Sequence, residues 1–142
     1  MTHRRATHSD CAMLAELNHQ LIRDEGHRNP MSVAELEARM RDFLSRDYTA
    51  VIFEDADVVV AYALYREFAG EIYLRQLFVI RARRREGIGK RAVEILRSEY
   101  WDKTKRWTVE VLTANEAAVK FWRAMGYRDY CLALEILPDE KT

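Results

Sequence analysis

The stretch that decides the reading is Phe78-Val79-Ile80-Arg81-Ala82-Arg83-Arg84-Arg85-Glu86-Gly87-Ile88-Gly89-Lys90. Its left end closes a run, Ile72 to Ile80, that is apolar almost throughout apart from Arg75 and Gln76, the pattern of a strand covered on both faces. Its right end opens an amphipathic helix with Ile88, Ala92, Val93, Leu96 and Tyr100 on one side. Between them lie a basic loop and two glycines. The first turn of a helix has unpaired N–H groups and the positive end of the helix dipole. Glycines let that backbone approach an anion closely, and Arg84 and Arg85 add charge-assisted contacts. The physical reading is a cradle for a phosphate or pyrophosphate.

Other readings fit part of the same residues. An arginine run is often only a solvated loop, with glycines serving the turn. Gly87, Gly89 and Ala92 formally satisfy the G-x-G-x-x-G/A dinucleotide fingerprint. Seven residues, Ile80 to Glu86, separate the strand from the first glycine, however, and 142 residues cannot supply two mononucleotide-binding halves. A Walker A loop fails, because Arg91 follows Lys90 and Arg84 stands where a glycine is required. Nucleic-acid binding through Arg81–Arg85 is the weakest reading. Lys and Arg total 23 against 23 Asp and Glu, so the whole molecule has no electrostatic reason to seek nucleic acid or an anionic membrane.

Outward from this stretch, no repeat or linker divides the chain, and one domain over residues 1–142 is expected. Upstream, a short strand at about Thr2–Ala6 precedes a helix from about Ser9 to Glu25, striped by Leu14, Leu17, Leu21 and Ile22 and stopped at Gly26. Ser32 and Glu35 form a capping box for a second helix carrying Val33, Leu36, Met40, Phe43 and Leu44. Tyr48–Phe53 and Val58–Tyr65 read as a hairpin turning at Asp55-Ala56-Asp57. Downstream, Trp107–Leu112 alternates as a strand, and Asn115 opens a helix with Ala118, Phe121, Trp122 and Met125 in its stripe. Gly126 ends that helix, and Tyr127–Leu137 reads as a final strand before Pro138 to Thr142. The order implies a mixed sheet with helices on both faces.

Absences narrow the class further. The first residues lead into no apolar leader, no stretch approaches a membrane span, and the expected location is the cytoplasm. Cys11 and Cys131 read as small buried hydrophobes. All four histidines fall in the first 27 residues without ligand spacing, so no metal is expected.

Arg84-Arg85-Glu86-Gly87-Ile88-Gly89 resembles the Q/R-x-x-G-x-G/A motif of the GNAT acetyltransferases, which lies between that family's fourth strand and third helix. Asn115-Glu116-Ala117-Ala118-Val119-Lys120-Phe121-Trp122-Arg123-Ala124-Met125-Gly126-Tyr127 is similar to the family's N-x-x-A-x-x-F-Y-x-x-x-G-F helix in all but two residues. Both motifs occur in order with a strand between them. The resemblance spans most of the chain, and its specific motifs are confined to residues 74–127. It implies an acyl-CoA N-acyltransferase fold of the α/β class, a mixed, mostly antiparallel sheet of six or seven strands flanked by about four helices. It also implies acetyl transfer from acetyl-CoA to a primary amine by direct attack, with no covalent enzyme intermediate. Neither Cys11 nor Cys131 sits within the motifs to serve as a nucleophile.

Residue by residue, the resemblance implies that the strands at Ile72–Ile80 and Trp107–Leu112 splay at a bulge and take the pantetheine arm between them. Leu77, Phe78 and Val79 would present backbone contacts, with an N–H near Val79 serving the thioester oxyanion. Arg84, Arg85, Glu86, Gly87, Ile88, Gly89 and Lys90 would take the pyrophosphate. Asn115 would bond the arm or the splayed backbone, and Phe121 and Trp122 would flank it, although their spacing fits core packing equally well.

The chain departs from the family pattern at the acid and the base. Trp122 stands where many members carry a tyrosine, and an indole N–H is too weak an acid to protonate a thiolate. Tyr73-Leu74-Arg75-Gln76-Leu77 holds no carboxylate; Glu71 and Glu67 lie just before it, and Tyr73 is the catalytic candidate. Glu25, His27 and Arg75 are candidates for the acceptor, a small molecule or peptide amine, with the loop Glu25–Met31 as a pocket wall. These departures keep a second reading open, a CoA-binding regulatory or interaction module without turnover. The final strand leaves an apolar open edge, from which a homodimer is expected.

Overall fold

The computed structural model describes residues 1–140. The chain runs β1 (Thr2–Arg5), α1 (Cys11–Asp24), α2 (Val33–Ser45), β2 (Tyr48–Asp55), β3 (Val58–Glu67), β4 (Glu71–Val79), α3 (Ile88–Ile95), β5 (Arg106–Val109) and α4 (Glu116–Ala124). A π-helical segment, Leu96–Tyr100, prolongs α3.

Local chemistry sets these boundaries. At the end of α1, Gly26 adopts φ 71°, and the His27 N–H turns back to the Ile22 carbonyl at 3.1 Å. The capping box of α2 is complete: Ser32 Oγ accepts from the Glu35 N–H at 3.2 Å, and Glu35 Oε1 accepts from the Ser32 N–H at 2.9 Å. The β2–β3 turn places Ala56 and Asp57 at φ 51° and 65°, the left-handed pair that a tight hairpin needs.

The sheet order is β1-β2-β3-β4-β5. Every neighbouring pair is antiparallel except β4–β5, which is parallel. The sheet is thus mixed and mostly antiparallel as expected, with four helices, but it has five strands rather than six or seven. The expected final strand at Tyr127–Leu137 does not form. Among the described residues its backbone bonds to no other strand, and a strand exists only where an edge accepts it. Pro138–Glu140 make a single 3-10 turn, and Lys141 and Thr142 lie outside the described residues. Cys131, expected to be buried, is exposed on this segment, whereas Cys11 is fully buried.

Helices cover both faces. On one, Ile72 and Leu74 of β4 pack with Ile88, Ala92, Ile95 and Leu96. On the other, Phe78 packs with Leu14, Leu21 and Met40 of α1 and α2. Residues of even number in β4 therefore change faces partway along the strand. The cause is a bulge: Leu64 of β3 pairs with Gln76 but Tyr65 pairs with Leu74, leaving Arg75 as the extra residue.

Candidate active site

The bulge opens the site. Before it, Glu71 to Leu74 pair in parallel with Arg106 to Val109; beyond it the two strands part. This is why β5 ends at Val109 rather than at Leu112. The Ile80 N–H donates to the Val60 carbonyl at 3.0 Å, so by alternation Phe78 and Gln76 also turn their backbone groups to β3. Leu77 and Val79 turn theirs into the gap. Phe78 is accordingly not one of the backbone contacts expected of Leu77, Phe78 and Val79. Its ring is buried in the α1/α2 core and its N–H and C=O face β3.

At the end of the gap Gly87 caps α3 at φ 77°, and no side chain caps that terminus. The N–H groups of Ile88, Gly89 and Lys90 point out of the first turn, where no earlier carbonyl can reach them. A Cβ added to Gly89 would lie 3.5 Å from the Phe121 ring and 3.8 Å from a Val79 methyl, so this turn sits directly over the gap. The basic side chains are more engaged than the sequence suggests. Arg84 donates to the Val79 carbonyl at 2.9 Å and to Asp24 at 2.6 Å, and Arg81 pairs with the same carboxylate. Arg83 and Glu86 pair at 2.9 Å, with Asp55 at 2.8 Å on the other side of Arg83. Arg85 and Lys90 make no side-chain bond among the described residues, and Arg85 sits at φ 66°.

Asn115 is the N-cap of α4, its Oδ1 accepting from the Ala118 N–H at 3.2 Å. Phe121 and Trp122 stack edge to face at 4.8 Å, and Trp122 meets Tyr127 at 5.4 Å. Trp122 packs against the α3-side core, so that its indole has a packing role while Phe121 borders Gly89 and Val79.

On the α1/α2 side, the Tyr73 hydroxyl donates to Glu110 Oε1 at 2.7 Å, just past the end of β5. Burial and this carboxylate raise the phenol pKa well above its ordinary value. Glu71 and Glu67, by contrast, are structural. Glu71 accepts from Thr108 at 2.6 Å and Arg106 at 3.1 Å, tying β4 to β5, and Glu67 holds Lys105 at 2.8 Å. Glu110 was missed as an acid in the sequence. Its signal was the polar position after Thr108 in an alternating strand.

Among the candidate acceptor residues, Glu25 and His27 pair at 3.3 Å in the loop after α1. Burial raises the Glu25 carboxyl pKa, and the His27 charge opposes that shift. Arg75 points elsewhere, stacking over Phe43 at 4.9 Å and Tyr48 at 5.9 Å. Between these groups lies a polar floor. Tyr62 donates to Gln76 at 2.8 Å, and Asn18 is buried with its Nδ2 unpartnered and its Oδ1 accepting from Arg39 at 3.1 Å. Among the described residues no cluster of His, Cys, Asp or Glu is placed to hold a metal ion. No helix is long and apolar enough to cross a membrane.

Similar proteins carry the same architecture. A possible acetyltransferase from Clostridium difficile 630 superposes with a TM-score of 0.80 at 18% identity, covering 96% of this chain and 97% of that one. A predicted acetyltransferase with acetyl-CoA from Clostridium acetobutylicum gives 0.73 at 16%, over 99% and 97% of the two chains. Aminoglycoside N-acetyltransferase AAC(6')-Iy, in complex with CoA, gives 0.75 at 14%, over 96% and 93%. At these identities the likeness is one of fold. No curated protein matches the chain in sequence. Residues 13–127 match the profile of the acetyltransferase (GNAT) family, which takes in both motifs, the bulged strand and the splayed gap. The chain belongs to the acetyltransferase (GNAT) family.

Proposed function

We propose that this protein is an N-acetyltransferase that moves an acetyl group from acetyl-CoA to a primary amine on a small molecule. The observation that carries the reading is the gap between β4 and β5. It offers the backbone groups of Leu77 and the Val79 N–H at one end of a continuous path, the Val79 carbonyl being held by Arg84, and the uncapped N-terminus of α3 at the other. A pantetheine arm, itself two amides long, pairs with such an edge as an added strand does. Its pyrophosphate then meets the N–H groups of Ile88, Gly89 and Lys90, with Arg85 and Lys90 adding charge. Arg84 can join them by leaving Asp24.

The chemistry follows from the neighbours of the gap. The neutral amine nitrogen attacks the thioester carbonyl carbon, and the oxyanion that forms takes a hydrogen bond from a backbone N–H of the Leu77–Val79 segment. The amine proton passes to the Tyr73 oxygen as the Tyr73 proton passes to Glu110, so the pair acts as a relay to a carboxylate. The C–S bond then breaks, and CoA leaves as a thiolate that takes a proton from water. A thiolate leaves without an enzymic acid at some cost in rate, consistent with Trp122 in place of a tyrosine. Glu25, raised by burial and facing the polar floor of Tyr62 and Gln76, supplies negative charge for a cationic acceptor. Small-molecule amines are favoured because structural neighbours include aminoglycoside N-acetyltransferases.

The test is to incubate the protein with acetyl-CoA and a panel of amines, aminoglycosides among them, and follow free thiol. Amine-dependent thiol release is expected. Acetyl-CoA binding without release on any acceptor supports a CoA-binding module instead, and no binding at millimolar acetyl-CoA defeats both readings.

A further inference from the structure

The face of β4 that α1 and α2 cover carries two cations that the fold does not neutralise. The bulge brings one of them there. In a regular strand Tyr73 and Arg75 share a face and Gln76 takes the other; with Arg75 as the extra residue, Tyr73, Arg75 and Gln76 all turn to the α1/α2 side. The second cation is Arg39, one turn before Phe43 on α2. Arg39 lies over the Phe43 ring at 5.3 Å and Arg75 over the same ring at 4.9 Å. A phenyl face attracts a cation, but two cations on one ring repel each other. Burial first, and then the charge of Arg75, lower the Arg39 pKa. The groups that oppose this shift are the phenols of Tyr62 and Tyr48, with no carboxylate among them.

The acids nearby are committed elsewhere. Glu35 closes the capping box, Glu37 pairs with Arg41 at 3.0 Å, Asp42 with Arg46 at 2.9 Å and Asp47 with Arg66 at 3.2 Å. Among the described residues Arg39 donates only to Asn18 Oδ1, at 3.1 Å, and Arg75 only to the Tyr48 hydroxyl, at 3.4 Å. Asn18 is 1% exposed, and with its Oδ1 taken its Nδ2 remains a buried donor without a partner, as does Arg39 Nε. Buried donors of this kind cost free energy until an acceptor is supplied. The opposite charge lies across the polar floor. The Tyr62 phenol, bonded to Gln76 at 2.8 Å, feels the charges of both Arg39 and Glu25. The floor is thus positive on the side of the arginines and negative on the side of Glu25.

We propose that this floor takes an acceptor that carries a carboxylate as well as an amine, an amino acid, with the carboxylate held between Arg39 and Arg75. A carboxylate presents two oxygens in one plane, one for each guanidinium, and its charge removes the repulsion between them. Asn18 and Phe43 hold the Arg39 guanidinium in place for that contact. Tyr73 lies two residues from Arg75 on the same face, about 7 Å along the strand. One small molecule therefore reaches from the arginine pair to the Tyr73–Glu110 relay with its amine. Glu25 draws in the cationic form before the amine proton is lost. A polycationic amine without a carboxylate is repelled by the same arginines. The inference rests on the acetyl-transfer reading and narrows its acceptor.

The test pairs each L-amino acid with its amide, which keeps the amine and the side chain and loses the carboxylate, and follows thiol release from acetyl-CoA. The best amino acid should exceed its amide in kcat/KM by at least about 30-fold, mostly through KM. The amide's amine is the more neutral of the two near pH 7, so amine basicity cannot produce that preference. Arg75 is exposed, and Arg75→Glu should keep the circular dichroism and the acetyl-CoA affinity while reversing the preference to the amide. Arg75→Gln should reduce the preference to within about three-fold. Equal rates on acid and amide, a parent preference for the amide, or a preference for the acid that survives Arg75→Glu overturns the proposal. No thiol release with any amine defeats the acetyl-transfer reading instead. The site is then read without turnover, from the arginine Nε–Hε resonances of the CoA-bound protein. N-acetylglycine should shift the Arg39 and Arg75 signals and N-acetylglycinamide should not; equal responses to the two overturn the site.

Discussion

Tyr73 and Glu110 are 37 residues apart in sequence and 2.7 Å apart in space, joined because β4 and β5 pair only as far as Leu74 and Val109. If the pair relays the amine proton, Glu110→Gln lowers kcat by about 100-fold while acetyl-CoA affinity stays within about two-fold, which steady-state kinetics and calorimetry would separate. A change in affinity alone would make Glu110 a binding group. Trp122→Phe should cost kcat no more than about three-fold, since the aromatic wall survives and indole moves no proton; Tyr73→Phe should cost more. Asp24 provides a pH test. Arg81, then Arg84, holds its carboxyl pKa below the ordinary value. A depressed pKa stabilises the fold above the unfolded value, near 4, and that contribution disappears as pH falls through the folded value. Asp24→Asn should therefore be less stable than the parent at pH 7 and equal to it in strong acid, as urea titrations at both pH values would show. Freed from Asp24, Arg84 should also tighten acetyl-CoA binding in the variant.

At the scale of elements, the two glycines of the loop have different jobs. Gly87 is required by its backbone, since φ 77° strains any residue with a Cβ. Gly89 carries no such φ, and a Cβ there meets Phe121 and Val79 at ordinary contact distance. Gly89→Val should thus leave the melting temperature nearly unchanged and weaken acetyl-CoA binding by at least about ten-fold, through a branched side chain held over the gap. Gly87→Val should lower both. The capping box gives a stability check: Ser32→Ala removes one of its two bonds at a cost of about 1 kcal/mol, a fall of a few degrees in Tm for a chain of this size. Elements of this kind were legible in the sequence because their causes are local. Ser32 and Glu35 cap across one turn, Gly26 stops α1, and Ala56-Asp57 turns the hairpin. The bulge at Arg75 was not legible by its position, because it is defined by how β4 sits against β3. Nor was Glu110 legible as a partner of Tyr73, since nothing local links them.

Across the whole molecule, the same limit explains the missing strand. Tyr127–Leu137 has a strand's alternation, but alternation reports only which side chains seek cover and not which edge supplies it. The proposed cofactor path draws on two motifs that were legible in the sequence, Gly87 to Lys90 at the first turn of α3 and Asn115 to Phe121 along the flank of the gap. The acceptor side was not, since Glu25 and His27 come from the loop after α1 and Arg75 from β4, and Arg75 turns away toward Phe43. The central claim is that the gap between β4 and β5, capped by the first turn of α3, is where acetyl-CoA lies. An amide-resolved NMR titration with acetyl-CoA tests it most directly. The account predicts that the largest shifts fall on Leu77, Val79, Ile88, Gly89 and Lys90, with Phe78 and Gln76 moving less because their N–H groups stay bonded to β3. Shifts centred elsewhere, or none at millimolar ligand, would contradict it.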